Sequence, residues 1–450
     1  MIHSLAAGAG LSADLIGGKA HGLVVLRRLG LPVPAGFVID IRACRAFLRD
    51  GRFPDGLDAE LAAAVGDLAA DRVSVRSGAA VSMPGMMDTV LDVDVDVTGE
   101  LRAAVRAVLA SWNTPRAVTY RELHGIPHDL GTAVIVQAMV FGDRDDRSGT
   151  GVAFSRDPNT GARTPFGDVL FGRRGDDVVS GRCTPSPLSE LAEREPVAWG
   201  DLVAALQRIE RHYCDACHVE FTVESGRLWL LQVRPGGGTG RAAVRVAVDL
   251  ADEGLIDRRT AVRRISAQHL PSARTARIRA GLDVLARGQG ACPGVATGRI
   301  AVTADRAARM AAGGPVVLVR PLTSPLDMHG LAAAAGIVTS RGGPTSHAVV
   351  VARALGRPAV VAASDLTVDA EAGCVRTRDR VLPEGTVVTI DGTGGEIVLG
   401  IAETVTGTGD GHLARLLDWA DEISGDRSAR PDEERLRAAH AHLEVPDQDR

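Results

Sequence analysis

The chain has 450 residues, 45% of them hydrophobic but only 3% aromatic, and a formal net charge of −5. That length supports roughly two to four domains with cores resting on Ala, Val and Leu, and the charge gives no electrostatic reason to expect nucleic acid or an anionic membrane as partner. No apolar run approaches a membrane span, no signal-peptide pattern opens the chain, and six scattered cysteines argue against a disulfide framework, so a cytoplasmic protein is expected.

Of the 51 basic residues one alone is lysine, Lys19; the rest are arginine. A GC-rich coding bias accounts for the loss of lysine but not for the survivor. A retained ammonium marks a place where a compact, strongly hydrated charge fits and a planar guanidinium does not. Lys19 follows the pair Gly17-Gly18 at the start of a short amphipathic segment, and a Pro-bounded turn then leads to a strand ending near Ile39.

Residues 73–91 alternate as a strand through Arg76 and then become a Gly- and Met-rich loop, Met83-Pro-Gly85-Met-Met-Asp-Thr89. Such a loop can offer backbone N–H groups and one guanidinium to phosphate oxygens. Residues 111–127 read as a capped helix, and an apolar strand runs from Ala133 to Val140. Further on, His218 to Arg234 form two strands around Glu224-Ser-Gly226. Glu220 and Gln232 are then expected on one side as neighbours, a hard-oxygen pair suited to Mg²⁺ shared with nucleotide phosphates. Pro235-Gly-Gly-Gly-Thr-Gly240 breaks the pattern as a hinge before a charged helical stretch.

The most informative run comes late: a strand, Ala334 to Val338, then Gly342-Gly343-Pro-Thr345-Ser346-His347-Ala-Val-Val-Val-Ala-Arg353. Thr345 and Ser346 are cap-type residues, which places His347 in the first turn of a helix. There the positive end of the helix disfavours imidazolium and favours an attached phosphoryl group, so the ring can serve as a nucleophile towards phosphorus.

This run resembles the phosphohistidine signature of the pyruvate phosphate dikinase and phosphoenolpyruvate synthase family, with Pro344 where the family usually has Met. The Met83–Thr89 run is closer to pyruvate phosphate dikinase than to the synthase. The resemblance runs from about residue 12 to 424. It implies an α/β multidomain protein, an ATP-grasp nucleotide-binding domain (1–235) and a swivelling β/β/α phosphohistidine domain (286–402). A helical linker (236–285) would join them, and a helical, charged tail (403–450) would follow. It further implies nucleotide phosphate contacts from Lys19, Arg76, Gly85, Thr89 and Arg234, and adenine-side backbone contacts from Gln137, Met139 and Val140. Glu220 and Gln232 fall on the metal strands. Gly342, Gly343, Thr345 and Ser346 would support the carrier, His347.

Two departures stand out. His218 occupies a position where the family has aspartate, and the stretch between Arg76 and Trp112 is shorter than usual. The strand–helix repeat of the family's C-terminal barrel is not visible after Leu416–Ile423. The expectation is therefore an ATP-dependent phosphotransferase using ATP, Mg²⁺ and possibly inorganic phosphate. It would phosphorylate His347 and pass the group to a separate acceptor protein or a small molecule. The alternative is a non-catalytic or regulatory phosphocarrier whose nucleotide site has decayed.

Overall fold

A computed structural model describes the chain except for residues 7–9, 82, 84–85, 96–98, 175–184, 275, 280–282, 344–345, 407–410 and 445–450. It falls into two compact units: Met1–Thr150 with Phe171–Arg173 and Val219–Arg234, and Gly151–Leu170 with Arg174–His218 and Pro235–Arg450. The division thus does not follow a boundary near residue 235, because Gly151–Leu170 and Arg174–His218 group with the C-terminal half.

The first unit is built on an antiparallel five-stranded sheet ordered Ile2–Ser4, Gly36–Ile39, Thr132–Ala138, Arg72–Ala79, Thr89–Asp94. Side chains alternate across a strand, so Val73, Val75, Val134 and Val136 enter one core with Phe37, Ile39 and residues of the helices Ile41–Asp50, Leu57–Gly66 and Glu100–Ala110. The intervening residues Arg76 and Gly78 take the other face, where the Lys19 segment lies against Gly78 and Ile135. Gly17 makes that packing possible. At φ +78° it breaks the helical run Ala13–Arg28, and a Cβ there would stand 1.7 Å from the Gly78 carbonyl oxygen. Lys19 therefore leaves the first turn of the helix that restarts at Gly18.

A second sheet has the order Arg227–Pro235, Cys217–Glu224, Gly149–Phe154, Phe166–Phe171, Ser186–Pro187. Its hairpin closes at Ser225 (φ 49°) and Gly226 (φ +79°), the two positive angles of a tight two-residue turn.

In the second unit, residues 284–399 hold an eight-stranded sheet. Four of its strands, Val295–Ala301, Val316–Arg320, Gly336–Thr339 and Ala359–Val361, run parallel, joined by the helices Ala304–Ala311, Met328–Ala333 and His347–Leu355. Those helices cover one face through Ala307, Leu331, Val349 and Ala352. A small sheet of Thr367–Asp369, Cys374–Arg376 and Val381–Pro383 covers the other through Val375 and Leu382, giving β/β/α layers. The segments entering and leaving this body pair with each other, Ala276–Ile278 antiparallel to Thr404–Thr406.

The C-terminal residues are not a free tail. Leu413, Leu416, Leu417 and Trp419 of helix His412–Ser424 share one core with Leu436, Ala439 and Leu443 of helix Asp432–Glu444 and with Val244, Val248 and Val262 of the stretch expected as linker. Most of the charges that suggested a tail occupy the outer faces, Asp421 alone among those of the two helices being buried, bridged by Arg430 and Arg435, and the apolar residues recur at helical spacing. Among the described residues no helix is long and apolar enough to cross a membrane.

Candidate functional site

Two chemically distinct clusters occur, one in each unit. In the first, Arg76 is nearly buried and tied to both strands of the hairpin: its Nη2 donates to Glu220 Oε2 at 3.0 Å and its Nη1 to the Leu231 carbonyl at 2.9 Å. Gln232 is only 2% exposed. With its amide oriented by its hydrogen bonds, its oxygen accepts from Arg234 Nε and Nη2 at 2.8 and 2.9 Å. Lys19, half-buried, has its ammonium pushed down to about 7, first by burial, next by the charge of Arg76 and also by that of Arg234, with Glu220 opposing. Three cationic groups thus converge around one carboxylate, an arrangement short of negative charge and suited to a polyphosphate.

The Met-rich loop is anchored from below. Met83 and Met86 pack with Trp112 and Ala117, Arg116 Nε donates to the Met86 carbonyl at 3.0 Å, and the Asp88 N–H donates to Ser111 Oγ at 3.1 Å. Arg116, not anticipated from sequence, also pairs with Asp88. Thr89 is exposed and lies opposite Arg76 in the strand register. Gly85 lies outside the described residues.

The adenine-side run is placed differently from the expectation. Gln137 is 1% exposed, paired in register with Gly36 on one side and Ser74 on the other, and its amide donates to the Pro34 carbonyl. A residue whose backbone is held within the sheet on both sides has none to offer a base. Met139 and Val140 lie past the strand end and are half-buried, the Met139 N–H donating to the Arg72 carbonyl.

Glu220 is engaged by Arg76 and Gln232 by Arg234, and both guanidiniums act on Lys19. One carboxylate and one amide match the few protein ligands that Mg²⁺ takes when phosphates supply the others. Among the described residues no group of three or more His, Cys, Asp or Glu could hold a metal by itself. His218 belongs to neither arrangement; its ring packs on Phe154, centroids 5.1 Å apart.

In the second unit, Gly342 (φ +91°) turns the chain from strand Gly336–Thr339 towards the helix that begins at His347. The Ser346 backbone is extended as a cap requires, yet its side chain makes no cap bond, and its buried Oγ has no partner among the described residues. Gly343 is buried, and Thr345 lies outside the described residues. His347 Nδ1 lies 3.3 Å from Thr323 Oγ1. Nearby, Asp327 accepts from the Ser324 N–H at 2.8 Å and the Ser324 hydroxyl at 3.2 Å, and faces Arg320 at 3.4 Å. Burial lowers the imidazole's pKa and the Asp327 charge opposes this, so the ring is neutral at neutral pH. Thr323 was missed as a partner of the histidine.

Comparison with known proteins agrees with this layout. Residues 47–198 match the model of the pyruvate phosphate dikinase AMP/ATP-binding domain, and residues 313–395 match that of the mobile domain of PEP-utilising enzymes. The chain is 36% identical to pyruvate, phosphate dikinase 2 of Oryza sativa subsp. japonica, with 91% of this chain and 58% of that protein covered. It is 35% identical to pyruvate, phosphate dikinase of Rhizobium meliloti (strain 1021), with 92% and 59% covered, and 33% identical to that of Clostridium symbiosum, with 91% and 59%. The chain spans under three fifths of the length of these relatives. Arg76 in a segment matching an AMP/ATP-binding domain and a helix-start histidine in one matching a mobile domain have a common explanation: the chain belongs to the pyruvate phosphate dikinase family of PEP-utilising enzymes.

Proposed function

We propose that the chain is an ATP-dependent phosphotransferase working through a phosphohistidine at His347. The observation that supports it most directly is the setting of that imidazole: at a helix start, its pKa lowered by burial, with Nδ1 3.3 Å from Thr323 Oγ1, so that in the tautomer whose Nδ1–H donates to this hydroxyl Nε2 carries the lone pair. Nε2 attacks phosphorus of ATP, an N–P bond forms, and the P–O bond to the leaving group breaks. Attack at the β-phosphorus releases AMP and leaves pyrophosphoryl-His; inorganic phosphate then removes the γ-group as pyrophosphate and leaves phospho-His. Attack at the γ-phosphorus would release ADP instead.

Lys19, Arg76 and Arg234 neutralise the polyphosphate, and Thr89 lies beside Arg76. Glu220 and Gln232 would hold Mg²⁺ once the phosphates draw the guanidiniums away, the ion supplying further charge neutralisation. Positioning and electrostatics supply most of the catalysis in phosphoryl transfer. The acceptor would come from a separate protein domain handling a keto acid, or be a small molecule.

His218, standing where the family has aspartate, favours a second reading: a phosphocarrier with a decayed nucleotide site. One assay separates the two. The protein is given Mg²⁺ and ATP labelled at β or γ, with and without phosphate, and protein label is followed with AMP and ADP. Acid-labile, alkali-stable label lost in His347→Ala supports the enzyme; no label under any of these conditions supports the decayed carrier.

A further inference from the structure

The helix that starts at the carrier histidine is gripped six residues later. Arg353 Nε donates to Asn159 Oδ1 at 3.1 Å, and its guanidinium carbon lies 5.7 Å from the centroid of the Phe154 ring. Asn159 is buried and fixed, its N–H donating to Asp157 Oδ1 at 2.8 Å and its carbonyl accepting from Thr239 Oγ1 at 2.8 Å. The Phe154 ring is backed in turn by His218. A second contact lies ahead of the histidine. A Cβ on Gly343 would stand 2.8 Å from Asp168 Oδ2, so that carboxylate would have to move, and 3.0 Å from Pro185 Cγ, a tight contact. All these residues belong to the second unit, and Phe154, Asn159, Asp168 and Pro185 lie within the segment matching the AMP/ATP-binding domain.

We propose that Phe154, Asn159 and Asp168 form a seat for the phosphohistidine body, that Arg353 is the positioning residue locating His347 there, and that His218 buttresses the seat instead of serving the metal. At about 100° per residue, Arg353 leaves the helix roughly 120° around from His347, so the grip fixes the helix without covering the imidazole. The grip is also built to release. Arg353 is held down to about 10 by burial, with Cys292, Asp157 and Asp168 opposing, so it stays charged at neutral pH. Yet its buried Nη2 has no hydrogen-bond partner among the described residues. An under-satisfied buried guanidinium regains hydration on leaving, whereas a fully paired one would hold the carrier in place. The His218 substitution then has a structural reason: an imidazole stacks on Phe154 where a carboxylate would not.

The inference rests on the phosphohistidine reading, and the experiment separates the two. Single-turnover labelling of His347 from β-labelled ATP at saturating nucleotide is compared in the wild type, Arg353→Gln, Arg353→Lys and Gly343→Ala. A misplacement of about 1 Å at a reacting centre costs on the order of 100-fold. Arg353→Gln is therefore expected to label about that much more slowly with unchanged ATP affinity, Gly343→Ala to label more slowly as well, and Arg353→Lys to recover part. Equal rates in wild type and Arg353→Gln overturn the seat. Should the wild type take no label, the phosphohistidine reading fails, and hydrogen exchange still decides: Arg353→Gln must raise exchange across 154–168, and unchanged exchange there overturns the proposal.

Discussion

Lys19 and His347 are both bases weakened by burial, yet their surroundings turn that weakening to opposite ends. Around Lys19 the next contribution comes from Arg76, with Glu220 opposing and Arg234 adding to it, so burial and two positive charges, which an incoming polyanion would offset, hold its ammonium near 7. Around His347 the neighbours are a threonine hydroxyl and an aspartate, and only the aspartate favours protonation. On the proposed reading, the lysine gains its proton when nucleotide arrives, and the histidine, kept without one, can attack. The same desolvation would then make one group a receiver of negative charge and the other a nucleophile.

The largest effect should come from dismantling the cation cluster. Arg76 holds the Glu220 carboxylate and the Leu231 carbonyl and, on the proposed reading, a phosphate oxygen, so Arg76→Leu removes a donor and frees a carboxylate to repel nucleotide. Loss of one such preorganised donor costs about 10²–10³ in rate. Labelling of His347 by ATP is expected to fall at least that far, with circular dichroism unchanged. A loss under tenfold would mean that the cluster is an ion pair of the fold and not a phosphate site.

The lysine half can be sharpened by pH. With the free amine near 7 and the bound amine raised by phosphate, binding takes up a proton. ATP affinity should therefore be greatest below pH 7 and fall as pH rises above it, by up to about tenfold per unit until the bound pKa is passed. Calorimetry in buffers of different ionisation enthalpy should register close to one proton taken up near pH 8. Lys19→Arg should lose this dependence as well as affinity, since a guanidinium does not titrate there. A flat profile in the wild type would show that Lys19 does not meet the phosphates. Gly17→Ala acts through stability instead: its positive φ and the close Gly78 carbonyl make a loss of at least about 2 kcal/mol the expectation, readable as a lowered thermal midpoint.

What could be seen in the sequence was local. The hairpin is written in Glu224-Ser-Gly226, whose turn chemistry needs no distant partner, and the His347 helix start in Gly342 and the extended Ser346. What could not be seen depends on residues far apart in the chain. The glycine at 343 is required by Asp168 and Pro185, and nothing near it says so. Gln137 was expected to offer its backbone on the adenine side, and an apolar strand does not declare its neighbours; two of them enclose it. The last two helices read as a charged tail because their charges outnumber the leucines that pack on Val244 and Val262. His218 looked like a damaged metal position, and only its stacking on Phe154 offers another reason for it.

The histidine half of the comparison has a subtler test in Thr323. The hydroxyl and the imidazole come from elements 24 residues apart and meet because the parallel strands Val316–Arg320 and Gly336–Thr339 end side by side. With Nδ1 carrying the proton and donating to Oγ1, the lone pair sits on Nε2; without that bond either tautomer is available. Thr323→Val keeps the shape and removes the hydroxyl, a loss of about 0.5–1.5 kcal/mol, so the labelling rate should fall by no more than about tenfold. Its pH dependence discriminates. Burial still holds the ring neutral, so the acid limb of the rate profile should stay where it is while its height drops. Asp327→Asn removes the one charge that favours imidazolium, and should move that limb to lower pH. If Thr323→Val shifted the limb and Asp327→Asn did not, the hydroxyl and not the carboxylate would be setting the proton on His347, and the contrast drawn with Lys19 would have to be rebuilt on hydrogen bonding instead of charge.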